Sequence, residues 1–355
     1  MWLVVAPFVP VSSASQAGHR LLHDYLVAKA KEMPVHLVVL ASEREWDEVG
    51  NISIPGVKVI KAFEFGRLKR LISILWNSLT HAPRFCTRLS DETACYLVQL
   101  CRQYQYSGIR LEFSQTMAYG EILAKQCPEV SIEYGIHDVQ LQVVLRKKAW
   151  EGFLFARKTY ATEKRLLSVG GTVFTLCDKD SNLIRSLYGE HIRCVKVPIV
   201  LPDWVSRVKR VPENIEPYSF MFWGAMNRVE NEEAALWFID KVFLPARKRT
   251  GRGVFYVVGA RPSEKLKARQ VDGVIVTGFV DDPVPYFNKV AFGVVPLFSG
   301  AGIKLKTLEM QASSVPILAT DIGAEGVDLD CGAVEILSAE KFLPRVDEIL
   351  SNECL

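Results

Sequence analysis

The chain has 355 residues, a net charge of +3 and a hydrophobic fraction of 49%. Because a single domain usually holds roughly 100–200 residues, this length favours two domains, each with a substantial core. The small net charge argues against nucleic acid as a partner. The sequence contains no run of ~18 apolar residues, so it predicts no membrane-spanning helix.

Eight cysteines are present, and none forms a CxxC pair. In a chain of this length, that usage is typical of small buried side chains in a reducing compartment. The apolar N-terminal run is too short for a signal peptide and has no basic lead. We therefore expect a cytoplasmic protein, either free or resting on the inner face of the membrane.

The first half alternates short apolar runs with helical patterns. Many of these runs are continuous rather than alternating in polarity, which is typical of strands buried on both faces of a parallel sheet. The predicted strands cover 2–6, 35–40, 57–62, 109–113, 130–134, 172–176 and 194–197.

A proline-punctuated segment follows and indicates a linker between domains. Its prolines are Pro198, Pro202, Pro212 and Pro217, and strands are expected after it at 219–223, 254–258, 274–277, 292–296, 317–319 and 333–337. Two serial α/β halves predict two Rossmann-like domains with parallel sheets facing a cleft. We set the N-terminal domain at 1–205, the C-terminal domain at 206–340 and a C-terminal helix at 341–355.

Residues 66–79 carry apolar side chains at helical spacing beside Arg67, Lys69 and Arg70. One interpretation is a helix lying on an anionic membrane surface, with Trp76 as an interfacial anchor. The other is an ordinary amphipathic helix packed on the sheet, since many helices show this pattern.

The loop after the first strand is polar and flexible, with Ser13, Ser15 and Gly18 before a helix that begins near His19. It is a candidate ligand-binding loop, although serines that cap the helix would give the same pattern. His137 follows another apolar strand at a carboxyl end, where ligands gather in doubly wound sheets. It could contact a ligand or accept a proton. The alternative is a loop histidine followed by Asp138 as a helix N-cap.

The most informative segment follows the apolar strand that ends at Pro296. A small-residue loop, Ser299-Gly300-Ala301-Gly302, leads into a helix expected from about 303 to 313. Strand, glycine loop and helix N-terminus form a phosphate-binding arrangement, because glycines allow close approach and the free amides favour an anion. An ordinary glycine-containing turn before an amphipathic helix is the alternative.

Two lysines and a glutamate follow on this helix. Lys304 places a positive charge in the first turn, which makes more sense with an anion present. Lys306 points about 200° around the helix from Lys304, so the two cannot face one ligand equally. Glu309 could accept hydrogen bonds from the ribose hydroxyls of a nucleotide, but from a different face than Lys304.

Several short motifs keep a fixed order and spacing in the second half. They are Phe222-Trp-Gly224, Asn231, Val257-Val-Gly259, Gly302-Ile-Lys-Leu-Lys-Thr-Leu-Glu, Val315-Pro-Ile-Leu-Ala-Thr and Gly323-Ala-Glu-Gly326. As a set they resemble family-4 glycosyltransferases of the GT-B fold. The resemblance is dense over 219–327 and looser over 1–200, and it is specific for the fold and the donor-binding half rather than for the sugar.

The resemblance implies roles for particular residues. Lys304 would bind the donor diphosphate with help from the amides around Thr307 and Leu308, and Glu309 would hold the ribose. His137 would be a third catalytic candidate, close to the donor sugar. The other donor-site candidates are Gly224, Asn227, Ser299, Gly300, Ala301, Gly302 and Lys306, and the loop with Ser13, Ser15, Gly18 and His19 would lie on the acceptor side.

The resemblance also implies a reaction. A sugar would pass from a nucleoside-diphosphate sugar to a glycan or lipid-linked acceptor, with retention of anomeric configuration and without a metal or other cofactor. Bacterial relatives of this type build surface polysaccharides or glycolipids, so contact with a membrane through 66–79 would fit, whereas nucleic acid would not.

Some positions depart from the family pattern. Ala301 stands where many relatives carry the first of two glutamates, and Ala225 and Glu230 stand where a basic pair is common. Ser314 replaces the usual small glycine. Residues 341–355 leave little room for the helix that relatives fold back onto the N-terminal domain.

Two patterns resemble metal sites. Asp178 and Asp180 form a D-x-D, but Asp180 precedes a helical pattern and is better interpreted as a helix N-cap. His19 and His23 are four residues apart on a helix and could bind zinc, although no third ligand is evident. We therefore expect no metal site.

Two other functions fit the same fold. A sugar-nucleotide epimerase or hydrolase would need its own acid and base, and no suited pair of carboxylates is evident. A non-catalytic GT-B-like protein could bind a nucleotide sugar or a partner without turnover, and the missing glutamate at Ala301 favours it.

Overall fold

The computed structural model describes residues 1–11, 17–146, 149–271, 273–330 and 332–352, with the backbone alone at 17, 149–151 and 153. The chain divides into two compact units, Met1–Val200 and Leu201–Leu355. The division lies five residues before the boundary set from the sequence.

The first unit is built on parallel strands, which in its described part form one sheet in the order β3-β2-β1-β4-β5-β6-β7. The strands are β1 (Trp2–Ala6), β2 (Val35–Ala41), β3 (Val57–Glu64), β4 (Gly108–Glu112), β5 (Ser131–Gly135), β6 (Thr172–Thr175) and β7 (Arg193–Lys196). β1 and β2 are buried at every position, as their apolar sequences predict, and His36 is the one polar side chain among them. Each strand lies within one or two residues of its predicted bounds.

Helices cover this sheet. They are α1 (Ala17–Glu32), α2 (Arg67–Asn77), α3 (Pro83–Cys86), α4 (Asp91–Gln103), α5 (Tyr119–Gln126), α6 (Gln140–Leu145), α7 (Ala149–Ser168) and α8 (Asp178–Tyr188), with a 3₁₀ turn at Trp46–Asn51. Two predicted caps are wrong. Asp180 lies inside α8 and is buried, because it accepts from the Cys177 thiol at 3.3 Å and pairs with Lys179 at 2.7 Å. Asp138 stands one residue too early to cap α6, whose N-cap is Val139.

The second unit repeats the design, with the described parallel strands in the order β10-β9-β8-β11-β12-β13. The strands are β8 (Glu216–Trp223), β9 (Val254–Val258), β10 (Val274–Gly278), β11 (Val290–Val295), β12 (Ile317–Ala319) and β13 (Val334–Ile336). The helices are α9 (Asp203–Ser206), α10 (Val229–Phe238), α11 (Leu244–Thr250), α12 (Glu264–Lys267), α13 (Val284–Lys289), α14 (Leu305–Ala312) and α15 (Ala339–Ser351), with a 3₁₀ turn at Pro212–Asn214 and a π-helical turn at Ile239–Phe243.

Both sheets share one topological feature. The strand order reverses between β1 and β4 in the first unit and between β8 and β11 in the second. In open α/β sheets, ligands bind outside the carboxyl ends of the strands at such a switch point. The residues that follow β1, β4, β8 and β11 are therefore the first places to search for a site.

The surroundings of α2 differ from those of a helix packed on the sheet. Ser73 is buried and donates to the carbonyls of Cys86 and Leu89, while most of the apolar side chains of α2 face solvent. Packing on the sheet, one of the two interpretations of 66–79, is therefore wrong for these side chains. Within the ranges that the structure describes, no helix is long and apolar enough to cross a bilayer.

The cysteines follow the expected pattern in part. Cys86, Cys101, Cys127 and Cys177 are buried free thiols, but Cys95 is exposed and Cys194 is half-buried. Cys331 and Cys354 lie outside the described residues.

Candidate functional site

Four aromatic rings lie in series at the switch point of the first unit, stacked at the two ends and edge-to-face between Phe8 and Phe113. We call them the aromatic column: His19, Phe8, Phe113 and His137. The ring centroids are 4.2 Å apart for Phe8 and His19, 4.6 Å for Phe8 and Phe113, and 3.7 Å for Phe113 and His137. Phe8, Phe113 and His137 follow β1, β4 and β5, which are neighbours in the sheet. The column therefore joins two histidines that are 118 positions apart in the sequence.

The centre of the column is held in an uncommon conformation. Phe113 has φ of 62°, in the left-handed region that costs a bulky residue about 1–3 kcal/mol. Its amide donates to the carbonyl of Gly135 at 2.9 Å, and its carbonyl accepts from the amide of Thr116 at 3.1 Å. A Cβ on Gly18 would lie 2.9 Å from the Phe113 ring, so a larger residue there would disturb the column.

A buried charge network lies beneath the column. His137 Nε2 is 3.2 Å from Glu112 Oε2, and Arg110 Nε donates to Glu112 Oε1 at 2.7 Å. Arg110 also reaches Glu133 at 3.4 Å and lies over the Tyr25 ring. Burial acts to raise the pKa of Glu112, but Arg110 and His137 outweigh it and lower the pKa to about 2.

Long-range hydrogen bonds to one carboxylate hold the segment that follows His137 in place. The carboxylate of Glu163, on α7, accepts from the amides of Gln140 and Leu141 at 2.9 and 3.0 Å, and from the Tyr188 hydroxyl at 2.5 Å. Glu163 therefore supplies the cap of α6 that Asp138 was expected to supply.

The predicted acceptor-side loop is described only in part. Ser13 and Ser15 lie outside the described residues, whereas Gly18 and His19 belong to α1. His19 Nδ1 is 2.7 Å from the Val9 carbonyl, and His23 lies beside Asp24. Over the described ranges, no group of three or more His, Cys, Asp or Glu side chains could hold a metal ion.

In the second unit, the glycine loop follows β11 at the switch point. Gly300 and Gly302 have φ of 111° and 68°, backbone conformations that favour glycine. Ser299, Gly300 and Ala301 are half-buried, and Asn227, in the facing turn, is exposed. The helix that follows begins at Leu305, two residues later than expected, because Lys304 has extended backbone.

Lys304 contacts its own loop. Its ammonium donates to the carbonyls of Ala301 and Gly302 at 2.9 and 2.7 Å and lies 3.4 Å from the carboxylate of Glu325. An ammonium has three N–H donors, and three protein acceptors are within reach of this one. Lys304 therefore stabilises the glycine loop through its side chain, whereas the sequence predicted a contact with the donor diphosphate.

The two amides expected to assist a phosphate are also engaged. The amides of Thr307 and Leu308 donate to the Lys304 carbonyl at 2.9 and 3.1 Å, and the Thr307 hydroxyl donates to the Gly323 carbonyl at 2.6 Å. Hydrogen bonds of the first helical turn thus use these donors. The expected contact of these amides with a phosphate stays a prediction.

Lys306 lies against the turn after β8. Its ammonium donates to the side-chain oxygen of Asn231, sits 4.7 Å from the centre of the Phe222 ring, and would be 3.4 Å from a Cβ on Gly224. Burial lowers the pKa of Lys306 to about 7, and the charges of Arg228 and Lys304 act in the same direction. Because burial disfavours the charged form of Lys306, a nearby anion would stabilise that form strongly.

Glu309 lies on the same side of α14 as Lys306, three residues further along. It is buried, and the Trp223 indole donates to its Oε2 at 2.7 Å. Residues three apart share a helix face, so Lys306 and Glu309 meet the end of β8 together. We call Trp223, Gly224, Asn231, Lys306 and Glu309 the β8 cluster.

Sequence reasoning missed part of both sites. Trp223 and Asn231 were noted only as motif positions, and Arg110 and Glu112 were assigned to a strand without a role. The spacing of Lys306 and Glu309 was a usable signal, because it places them on one helix face. Glu112 gave a weaker signal: it and Arg110 are charged residues in a strand that ends at a switch point.

Comparison with known proteins identifies a family match for the second unit. Residues 217–352 match a family model described as glycosyl transferases group 1. No curated protein matches the sequence.

Solved structures match the fold. A sucrose-phosphate synthase from Thermosynechococcus elongatus is similar over 99% of this chain and 90% of its own, with a TM-score of 0.66 and 14% identity. Anabaena Alr3699/HepE, in complex with UDP and glucose, covers 99% of this chain and 90% of its own at a TM-score of 0.64 and 12% identity. The lipopolysaccharide outer core galactosyltransferase WaaB covers 100% of this chain and 92% of its own at 0.64 and 13%.

These identities are low enough that the structural matches establish the fold alone. The chain has the α/β fold with two parallel sheets that GT-B glycosyltransferases share. Together, the fold and the match over residues 217–352 support a glycosyltransferase of the GT-B fold.

Proposed function

We propose that the protein transfers a sugar from a nucleoside-diphosphate sugar to a glycan or lipid-linked acceptor. The observation that carries this proposal is the β8 cluster, which sets a cation and a carboxylate side by side at the switch point of the unit that matches glycosyl transferases group 1. A nucleoside diphosphate carries complementary groups, since its phosphates are anionic and its ribose hydroxyls donate hydrogen bonds.

Each residue of the cluster then has a physical role. Lys306 would face the diphosphate and stabilise the charge that grows on it as the sugar leaves. Glu309 would accept from the ribose hydroxyls, since a carboxylate can accept several hydrogen bonds at once. Gly224, with φ of 150°, has no side chain to block the approach of a phosphate.

The stereochemistry and metal independence are part of the proposal. We propose transfer with retention, in which the leaving diphosphate helps the incoming hydroxyl and the protein mainly orients the donor. Lys306 would supply the positive charge that a metal supplies elsewhere. The Anabaena protein in complex with UDP and glucose shares the fold, which is consistent with a nucleotide-sugar donor.

A turnover assay tests the proposal. Release of the nucleoside diphosphate is measured with UDP-, GDP-, ADP- and TDP-linked sugars, with and without EDTA, and the anomeric configuration of the product is read by NMR. Glu309→Gln should lower kcat/KM by roughly 10- to 100-fold, because hydrogen bonds to a charged group contribute about 1.5–3 kcal/mol. Glu348→Gln, at an ion-paired surface carboxylate on α15, serves as the matched control.

Two outcomes would contradict it. Binding of a nucleotide sugar without turnover of any donor would favour the non-catalytic alternative. Turnover that is unaffected by Glu309→Gln would remove the ribose role and with it the proposed site.

We further propose that the exposed face of α2 rests on a membrane that carries the acceptor. The exposed fraction is 72% for Leu68, 74% for Leu75 and 81% for Trp76, and Leu79, just beyond the helix, reaches 92%. Contiguous exposed apolar side chains of this size mark interaction surfaces. A tryptophan among leucines on a helix surface suits the lipid interface.

The basic residues near this helix contribute less than their number suggests. Lys69 is bound to Glu92 at 3.1 Å, and Arg88 is buried 4.0 Å from Glu45. We therefore expect the apolar side chains to supply most of the binding, with a smaller contribution from anionic lipid.

Replacing two apolar side chains should detach the protein from vesicles. The double variant Leu75→Ser, Trp76→Ser removes two side chains whose burial in lipid would each stabilise binding by roughly 1.5–3 kcal/mol. We expect at least a tenfold loss of partitioning in flotation with phosphatidylcholine vesicles that contain phosphatidylglycerol. Phe279→Ser, at an exposed aromatic in the second unit, is the control. Equal flotation of both variants, or failure of the wild-type protein to float, would exclude this surface.

A further inference from the structure

We propose that Glu112 is a positioning residue that fixes the tautomer of His137, so that His137 Nδ1 is the hydrogen-bond acceptor offered to a sugar hydroxyl. The inference rests on the proposed function only for the identity of the hydroxyl. The tautomer itself follows from the contacts of the first unit.

The Glu112 carboxylate decides which imidazole nitrogen carries the proton. An ionised carboxylate accepts hydrogen bonds and donates none, so His137 Nε2, 3.2 Å from Glu112 Oε2, must be the protonated nitrogen. In the neutral ring, Nδ1 is then the acceptor. Arg110, bound to the other carboxylate oxygen at 2.7 Å, keeps Glu112 ionised.

Two further features hold the ring in one orientation. The imidazole lies parallel to the Phe113 ring, with an interplanar angle of 10° and centroids 3.7 Å apart. A Cβ on Gly135 would overlap the Glu112 carboxylate, so only glycine leaves room for that carboxylate beside His137. This degree of constraint differs from that of an ordinary loop histidine, whose ring is free to turn.

The constrained nitrogen lies where a ligand is expected. His137 follows β5, next to β4 at the switch point of the first sheet. Among the residues that the structure describes, no hydrogen-bond partner of His137 Nδ1 is found, and the side chain keeps a small exposed fraction. A neutral imidazole acceptor suits a hydroxyl donor, and a sugar is rich in hydroxyls.

Nitrogen-15 NMR of histidine-labelled protein tests the tautomer without any substrate. His137→Gln assigns the signal. At a pH where the ring is neutral, the wild-type protein should show a single form protonated at Nε2, and Glu112→Gln should produce a mixture or the other tautomer. Glu133→Gln is the matched control, because Glu133 also contacts Arg110 but does not touch His137. Protonation at Nδ1 in the wild-type protein would overturn the proposal even if Glu112→Gln fails to fold.

Kinetics then separate this proposal from the proposed function. Glu112→Gln should lower kcat/KM by roughly 10- to 100-fold, the loss seen when a partner that orients an active imidazole is removed. If Glu112 acts through His137, Glu112→Gln should lower kcat/KM little further in a His137→Ala background, since the two substitutions remove the same interaction. Additive losses would show that Glu112 acts elsewhere. Absence of turnover with every donor would reject the proposed function while leaving the tautomer result intact.

Discussion

Addition of the cognate nucleoside diphosphate should raise the Tm of the wild-type protein by several degrees, and Lys306→Met should remove most of that rise. A ligand at 100 times its Kd stabilises the native state by about 2.7 kcal/mol, and each kcal/mol shifts the Tm of a unit of this size by about 2–4 °C. The measurement is a thermal melt with UDP, GDP, ADP, CMP, TDP and NAD in turn. The responding nucleotide also identifies the base of the donor.

The pH dependence of this binding follows from the same lysine. In the unliganded protein the pKa of Lys306 is lowered to about 7, so the side chain is half protonated at pH 7 and mostly neutral at pH 8. A bound diphosphate favours the charged form, so binding above pH 7 should take up a proton and weaken by up to about tenfold per pH unit. Calorimetry in buffers of different ionisation enthalpy measures that proton uptake.

Two control variants distinguish a binding lysine from a structural one. Lys304→Met should lower the Tm of the unliganded protein, because Glu325 loses its ion-pair partner and the Gly302 carbonyl loses a hydrogen bond. Lys241→Met, at an exposed lysine, should change neither the Tm nor the nucleotide response. If Lys306→Met responds to nucleotide as the wild-type protein does, the diphosphate does not bind at the β8 cluster.

Gly259→Ala should destabilise the second unit by roughly 4 kcal/mol or more, at the upper end for a single substitution. Gly259 has φ of 147°, and a Cβ there would overlap the carbonyl oxygen of Gly224. Either the backbone of β9 or the turn after β8 must then move, and packed backbone offers little room to do so. Urea denaturation followed by tryptophan fluorescence measures the loss.

Gly251→Ala is the matched comparison. Gly251 ends α11 with φ of 70°, and no atom lies within 4 Å of a Cβ built on it. Its substitution should cost only the left-handed backbone strain, about 1–2 kcal/mol. If both substitutions lower the free energy of unfolding equally, backbone strain and not the collision with Gly224 determines the effect of Gly259→Ala.

The sequence was sufficient for the strands and for the position of the glycine loop. Runs such as 2–6 and 254–258 are apolar throughout, and their short length and β-branched residues favour a central strand over a helix. The shared face of Lys306 and Glu309 on α14 was also predictable, because it depends only on helical geometry. It could not be predicted which of the two lysines lies against Gly224. That depends on where the helix begins, and the helix begins two residues later than expected.

Long-range partners explain the remaining errors. Asp138 and Asp180 each have the residue type of an N-cap, but Val139 and Cys177 occupy the cap positions. The strand before His137 was placed one residue early, and that before Phe113 one residue late. The two errors together shift the register between these strands by two residues, so the pairing of Glu112 with His137 could not be inferred from spacing.

The Glu163 carboxylate makes the folding of α6 depend on the docking of α7. α6 has only six residues, too few to persist alone in water, and the group that completes its first turn lies on α7, 23 positions downstream of Gln140. The amides of Gln140 and Leu141 should therefore become protected from hydrogen exchange only when α7 docks. Opening of α7 would release the His137 segment with it as a single cooperative unit, while β4 and β5 beneath remain folded.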